Sequence, residues 1–164
     1  MKKIRLGVKS HMGHTLIDDE DFPIISKYKW FAFHSGKRLK YALSTSRSFS
    51  GEKIFMHRLI LGFPEKQIDH INCDGLDNRK SNLRLCTSQQ NKWNQRKREI
   101  GSSRFRGVRK SSKSNSWQAG ITVSYKRMHL GSYKSEEDAA RVYDRAANKY
   151  YGEFAYLNFP LEKA

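Results

Sequence analysis

The chain has 164 residues, of which 32 are Lys or Arg and 16 are Asp or Glu, a formal charge of +16 with 37% apolar residues. That length accommodates one domain or two small ones, and no apolar run approaches the roughly 18 residues that span a bilayer. The start is basic and reaches Lys9, Ser10 and His11 before any apolar core, so a secretory leader is not expected; Cys73 and Cys86 are too few for a four-cysteine zinc site and make a poor disulfide framework.

In chain order, Ile4–Val8 alternates like a short strand. Trp30–Phe33 and Tyr41–Ser44 flank a His34–Lys37 turn, which predicts a hairpin. Ile54 to Leu61 is apolar around His57 and Arg58, either a strand or a short helix. Asn82–Cys86 alternates again, and Thr87 or Ser88 can cap a helix from Gln89 to Lys97. Gln95 to Ser103 has one apolar residue and ends in Gly-Ser-Ser, a linker composition. Beyond it, Phe105–Arg109, Trp117–Val123 and Arg127–Tyr133 read as three strands. Ser135-Glu136-Glu137-Asp138 then opens a helix with a capping-box arrangement and acids at its positive end. Ala139, Ala140, Val142, Tyr143, Ala146, Ala147 and Tyr150 follow at helical spacing, and Gly152 stops the helix.

The charge is spread over both halves: residues 1–100 hold 20 basic and 10 acidic side chains, and residues 101–164 hold 12 and 6. From Arg79 to Lys110, eleven basic residues are opposed only by Glu99. Such density, with aromatics interleaved, points to a polyanionic partner, because neutralising phosphates releases condensed counterions. A membrane-surface role is disfavoured, since the basic residues do not line one face of an amphipathic helix.

The stretch Asp69-His70-Ile71-Asn72-Cys73-Asp74-Gly75-Leu76-Asp77-Asn78-Arg79-Lys80-Ser81-Asn82-Leu83-Arg84 is the most informative. A strand ends in Asp-His, a loop of Asn, Asp and Gly follows, and a second strand and a helix bring Asn91 back. Hydrolysing a phosphodiester needs a base for water and a hard cation for the leaving oxygen. Histidine suits the first near neutral pH, and Asp and Asn oxygens suit the second. A calcium-loop reading fails, because its first and twelfth ligands would be His70 and Ser81. From spacing alone, a loop of Asx turns capping its own backbone is an equally good reading.

Asp69-His70-Ile71-Asn72, Asp77-Asn78-Arg79, Asn82-Leu83-Arg84 and Asn91, preceded by Met56–Ile60, resemble the HNH endonucleases of the homing type found in phages. Met56–Ile60 matches that family's approach strand, and Cys73 stands where Gly is expected. The resemblance implies a ββα-metal hairpin over about residues 54–97. It makes His70 the general base, Asp69 and Asn91 ligands of one divalent cation (Mg2+ or Mn2+), and Asn82 the middle Asn that braces the loop and orients His70. It also implies a cytoplasmic setting in an infected bacterial host.

Phe105–Arg109, His129–Tyr133, Ala139–Ala147 and Leu157–Pro160 resemble, in order, the plant ethylene-response-factor (Apetala-type) DNA-binding domain. That family lays a three-stranded sheet in the major groove. By position, Arg106, Arg109, Trp117 and Arg127 are the candidate DNA contacts, with core packing an equal alternative for Trp117. Gly120, Thr122 and His129 sit where the plant family places Glu, Arg and Trp, so its target sequence does not transfer.

The sequence therefore predicts an α+β chain: a nuclease domain over residues 1–98, a linker over 99–103, and an Apetala-type domain over 104–160. Arg58, Arg84, Arg96, Lys97 and Arg98 are expected to add phosphate contacts. The expected activity is metal-dependent nicking of double-stranded DNA by a monomer, without a small-molecule substrate or a membrane. The alternative is a non-catalytic DNA-binding regulator.

Overall fold

The structure, a computed structural model, describes residues 1–7, 13–35, 39–45, 53–97 and 101–160. Small antiparallel sheets and separate helices give an α+β chain that divides into two compact units, Met1–Asn91 and Lys92–Ala164.

In the first unit, β1 (Lys2–Leu6) and β2 (Gly13–Ile17) form an antiparallel ribbon, with Ile4 opposite Thr15. The short helix α1 (Phe22–Ile25) follows, with Pro23 early in its first turn, where a missing N–H costs nothing. The predicted hairpin is present as β3 (Phe31–Ser35) and β4 (Leu39–Thr45), and β5 (Lys53–Phe55) adds to β4. The apolar stretch after it is both things the pattern allowed. Phe55 is the last residue paired with β4, and Met56–Ile60 turns into a helix, α2. This corrects the approach strand expected for Met56–Ile60. Met56 and Leu59, three residues apart, are both buried, which a helix achieves and an alternating strand does not. They join Leu6, Ile17, Ile25, Trp30, Ala42 and Ile54 in one core.

A hairpin then carries the Asp-His pair. β6 (Gln67–His70) pairs antiparallel with β7 (Leu83–Cys86), with Asp69 opposite Arg84 and His70 opposite Leu83. The helix α3 (Ser88–Trp93) follows directly. Its start is a capping box: the Gln90 N–H donates to Thr87 Oγ1 at 3.2 Å, and the Thr87 N–H donates to Gln90 Oε1 at 2.8 Å. It stops at Trp93, four residues short of the expected end.

In the second unit, β8 (Val108–Lys110), β9 (Trp117–Val123) and β10 (Lys126–Tyr133) form the expected three-stranded antiparallel sheet, in the order β10-β9-β8. The sheet packs on α4 (Glu136–Tyr151), whose N-cap is Ser135 and whose C-cap is Gly152. Val108, Ala119 and Ile121 meet Ala139, Ala140, Tyr143 and Ala147, and the small helix residues let the backbones approach. The first strand starts later than its pattern because Gly107 sits at φ 75°, outside the extended region. A Cβ there would lie 1.9 Å from the Tyr143 ring. Trp93 stacks on Tyr151 at 4.5 Å in this unit. Of the expected linker, residues 99 and 100 lie outside the described residues. Ser103 is buried, with its hydroxyl on Glu136 at 2.6 Å.

Candidate active site

His70 is the last residue of β6 and is 6% exposed. Its ring meets His57 edge-on at 5.2 Å between centroids and Tyr41 at 5.9 Å. Its Nε2 lies 3.3 Å from Asn78 Oδ1. Burial holds its pKa below the usual histidine range, opposed by the Asn78 hydrogen bond and by the charges of Asp69, Asp74 and Asp77. Burial thus favours the neutral ring, the state a general base requires. Burial pushes the neighbouring His57 down further, to about 3, with the His70 and Arg58 charges adding to the effect. Its Nδ1 is buried and has no hydrogen-bond partner among the described residues.

The loop after His70 is held by its own amides. Asn82 Nδ2 donates to Asn72 Oδ1 at 3.0 Å and to the Asp77 carbonyl at 2.7 Å, and its Oδ1 accepts from the Asn72 N–H at 3.0 Å. Asn72 Nδ2 reaches Asp77 Oδ2 at 2.9 Å, and Arg79 grips both oxygens of Asp77. That bidentate Arg79 pair holds the Asp77 carboxyl below the usual carboxylate range. The Asx turns open to the loop from spacing are present too: Asp74 Oδ1 accepts from the Leu76 N–H at 3.0 Å. Asn82 thus braces the loop, and Asn78 makes the hydrogen bond to the imidazole. Cys73 adopts φ 58°, the left-handed conformation that suits the Gly expected there.

Asp69 is buried, and its Oδ2 accepts from Arg84 Nε and Nη2 at 2.9 and 2.8 Å. Arg84 is 11% exposed on its side chain, so its guanidinium serves this pair. Asn91 is half-buried on α3, and its Nδ2 donates to Gln67 Oε1 at 3.2 Å. Gln67 and Asp69 share one face of β6 by strand alternation, which puts Asn91 against that face. A carboxylate and a carboxamide oxygen are hard donors that fit a magnesium-like ion, which keeps several waters. A carboxylate accepts about four contacts, so Arg84 and a cation can share it. Among the described residues no group of three or more His, Cys, Asp or Glu comes together as a metal site. Water and a substrate oxygen would have to complete any coordination shell.

The basic candidates separate into two kinds. Arg58 Nη2 donates to the Pro64 carbonyl at 2.5 Å and closes the turn after α2. Arg106 caps the end of α3, donating to the carbonyls of Lys92, Trp93 and Gln95 at 3.0, 2.7 and 2.5 Å. Two of those carbonyls, Lys92 and Trp93, are in the last turn of α3, whose end is thus satisfied by a side chain. Trp117 shares the inward phase of β9 with Ala119 and Ile121 and packs against the core. Arg109 and Arg127, by contrast, are exposed on the outer face of the sheet. With Gln118, Ala119 and His129 they line a shallow cleft of about 380 Å3. Arg109 Nε is held by Gln118 Oε1 at 2.9 Å. Arg96 is exposed and Lys97 half-buried, and Arg98 lies outside the described residues.

Sequence reasoning missed Thr15. It is fully buried, and its hydroxyl lies 2.7 Å from Asn78 Nδ2. The signal was a polar residue in the inward phase of β2, which it shares with Ile17.

Comparison with known proteins bears on this arrangement. Residues 56–92 match the model of the HNH endonuclease family, a span from α2 through both hairpin strands into α3. An uncharacterized HNH endonuclease of Acanthamoeba polyphaga mimivirus is 34% identical over 146 residues, covering 85% of this chain and 71% of the relative. The chain belongs to the HNH endonuclease family. Endonucleases of this family generally use a divalent metal ion, in keeping with the donors at Asp69 and Asn91. A second likeness is to plant proteins of Arabidopsis thaliana. An AP2-like ethylene-responsive transcription factor is 51% identical over 47 residues, 29% of this chain and 16% of that protein. An ethylene-responsive transcription factor-like protein is 57% identical over 35 residues, 21% of this chain and 16% of that protein. The chain thus spans only about a sixth of these plant relatives. No described helix of this HNH protein is long and apolar enough to cross a membrane.

Proposed function

We propose that this HNH endonuclease nicks one strand of double-stranded DNA, as a monomer of the homing type, at a site chosen by its C-terminal sheet. The observation that carries the reading is a buried His70 beside Asp69 at the end of a hairpin within the span the family model matches. In this reading His70 takes a proton from the water that attacks the scissile phosphorus in line. Asp69 and Asn91 hold the cation, Asn82 keeps the loop shape, and Arg84 fixes the Asp69 carboxylate. A bound Mg2+ or Mn2+ would supply charge stabilisation at the phosphoryl oxygens and the 3′ leaving oxygen. One hairpin holds one such set of groups, which supports a single cut per monomer.

Recognition is assigned to the outer face of β8–β9–β10. A small sheet fits the major groove, and Arg109 and Arg127 stand ready for base edges or phosphates. The likeness to plant transcription factors supports DNA as the partner of that segment. It also favours a second reading, a regulator that binds without cutting. Incubation with supercoiled plasmid in Mg2+, Mn2+ or EDTA, followed by strand-specific run-off sequencing, separates the two. Nicks on one strand that need metal are expected. Retarded, unbroken DNA in both metals would favour the regulator, and paired breaks would exclude single-strand nicking.

A further inference from the structure

Thr15 and Asn78 are 63 residues apart in sequence, and both are fully buried beside the candidate base. The polarity of their hydrogen bonds can be followed from one fixed end. The Leu76 carbonyl only accepts, and Thr15 Oγ1 lies 2.6 Å from it, so the hydroxyl hydrogen points there. Met56 Sδ, at 3.8 Å, is a far weaker acceptor for the same hydrogen. The Thr15 oxygen must then receive a hydrogen from Asn78, which makes the amide atom at 2.7 Å its Nδ2. The Gly75 carbonyl, 3.4 Å from the same nitrogen, demands the same orientation. Asn78 Oδ1 is left facing His70 Nε2, and an amide oxygen can only accept.

The backbone holds both residues in place. The Leu16 N–H donates to the Leu76 carbonyl and the Asn78 N–H to the Leu16 carbonyl, each at 2.8 Å, and Leu16 bridges Asp77 in parallel. Strand β2 is therefore an added edge on the active-site loop. It lies outside residues 56–92, the span matched by the family model.

We propose that Thr15 and Asn78 are positioning residues that hold the His70 imidazole as its Nε2–H tautomer, which makes Nδ1 the nitrogen that accepts the proton. The proposal rests on the reading of His70 as the general base. A neutral imidazole with its proton on the wrong nitrogen presents a donor where the reaction needs a lone pair. The relay from the Leu76 carbonyl removes that alternative before substrate arrives.

The test uses the full, metal-free chain labelled with 15N-histidine. Long-range proton–nitrogen NMR reports the tautomer, and the His70 signals are identified by their loss in His70→Gln. The parent is expected to carry the His70 proton on Nε2. Asn78→Leu removes the acceptor and should give a mixture of tautomers, with kcat for nicking lower by about tenfold to a hundredfold and KM unchanged. Thr15→Val, nearly the same shape, should move both readouts in the same direction by less, and it serves alone if Asn78→Leu does not fold. Thr15→Ser and Asn78→Asp keep the needed hydroxyl or oxygen and should retain the Nε2–H form. A parent with its proton on Nδ1, an unchanged tautomer in the first two variants, or a changed tautomer with full kcat would each overturn the proposal. Parental nicking by His70→Ala would instead sink the reading of His70 as the base and leave the tautomer result standing.

Discussion

The two units use buried polar groups for opposite purposes. In the second, Asp144 accepts from the Asn158 N–H and Nδ2 at 2.9 and 3.0 Å and from the Phe159 N–H at 2.8 Å. Asn158 in turn bonds both the N–H and the carbonyl of Arg106. That network ties Asn158 and Phe159 to α4 and to the approach to the sheet, beside a core of Val108, Ala119, Ala139 and Ala140. In the first unit His70, the side chain the proposal assigns to chemistry, is buried along with the polar residues Thr15, Asp69, Asp77, Asn78 and Asn82. The C-terminal network is a clasp, and in the proposed reading the N-terminal one is a setting for the general base. Damage to the first should cost stability, and damage to the second should cost rate.

The largest expected effect is on rate. His70→Ala should lower nicking by roughly 10²–10⁴, the usual contribution of a general base, with DNA affinity unchanged in a mobility-shift titration. Equal loss of affinity in a folded variant would break the assignment.

The clasp should answer in stability. Asp144→Ala takes the acceptor from the Asn158 and Phe159 N–H groups and one of two acceptors from Asn158 Nδ2, and should destabilise the chain by about 2–3 kcal/mol, read from urea denaturation. A loss confined to cutting, with an unchanged denaturation midpoint, would reverse the contrast between the units.

Next come the basic residues, which the structure sorts by job. Arg109→Ala and Arg127→Ala should each weaken DNA binding by about 1–3 kcal/mol with little change in stability. Arg106→Ala uncaps three carbonyls and should lower stability instead. Equal effects of all three on binding alone would put Arg106 on the DNA side.

The last prediction concerns pH. The folded pKa of His57 is about 3, against 6.5 for the unfolded chain. Below pH 6.5 the unfolded state binds the extra proton, so this stability is fully present above 6.5 and is lost as pH falls toward 3. The slope is at most about 1.4 kcal/mol per pH unit. His57→Phe should flatten that acid limb, and it removes a buried nitrogen that has no partner among the described residues. An unchanged limb between pH 7 and 4 would assign the acid sensitivity to other groups.

The same contrast explains what could be read in advance. The second unit's sheet and helix follow from local periodicity: alternating β9, the Ala-rich face of α4, Ser135 and Gly152 at its ends. Trp117 was ambiguous because an inward aromatic and an exposed one carry the same letter, and only the phase of the folded strand separates them. In the first unit the Asp69-His70 pair and its spacing to Asn82 and Asn91 were legible. The helical turn of Met56–Ile60 was not, because five apolar and basic residues fit either period. Arg106 as a helix cap and Thr15 as a partner of Asn78 were also hidden. The first reaches back more than ten residues to backbone carbonyls, and the second reaches across 63 residues. Tertiary hydrogen bonds of that kind leave little trace in a local pattern.

The most direct test sets the parent, His70→Ala and the Arg109→Ala, Arg127→Ala double variant on one plasmid carrying a mapped nick site, in Mg2+, with binding measured in parallel. The expected result is a His70→Ala chain that binds the site and does not cut it, beside a double variant that still nicks but has lost its preference for the site. A His70→Ala chain that cuts the site at the parental rate would contradict the account at its centre.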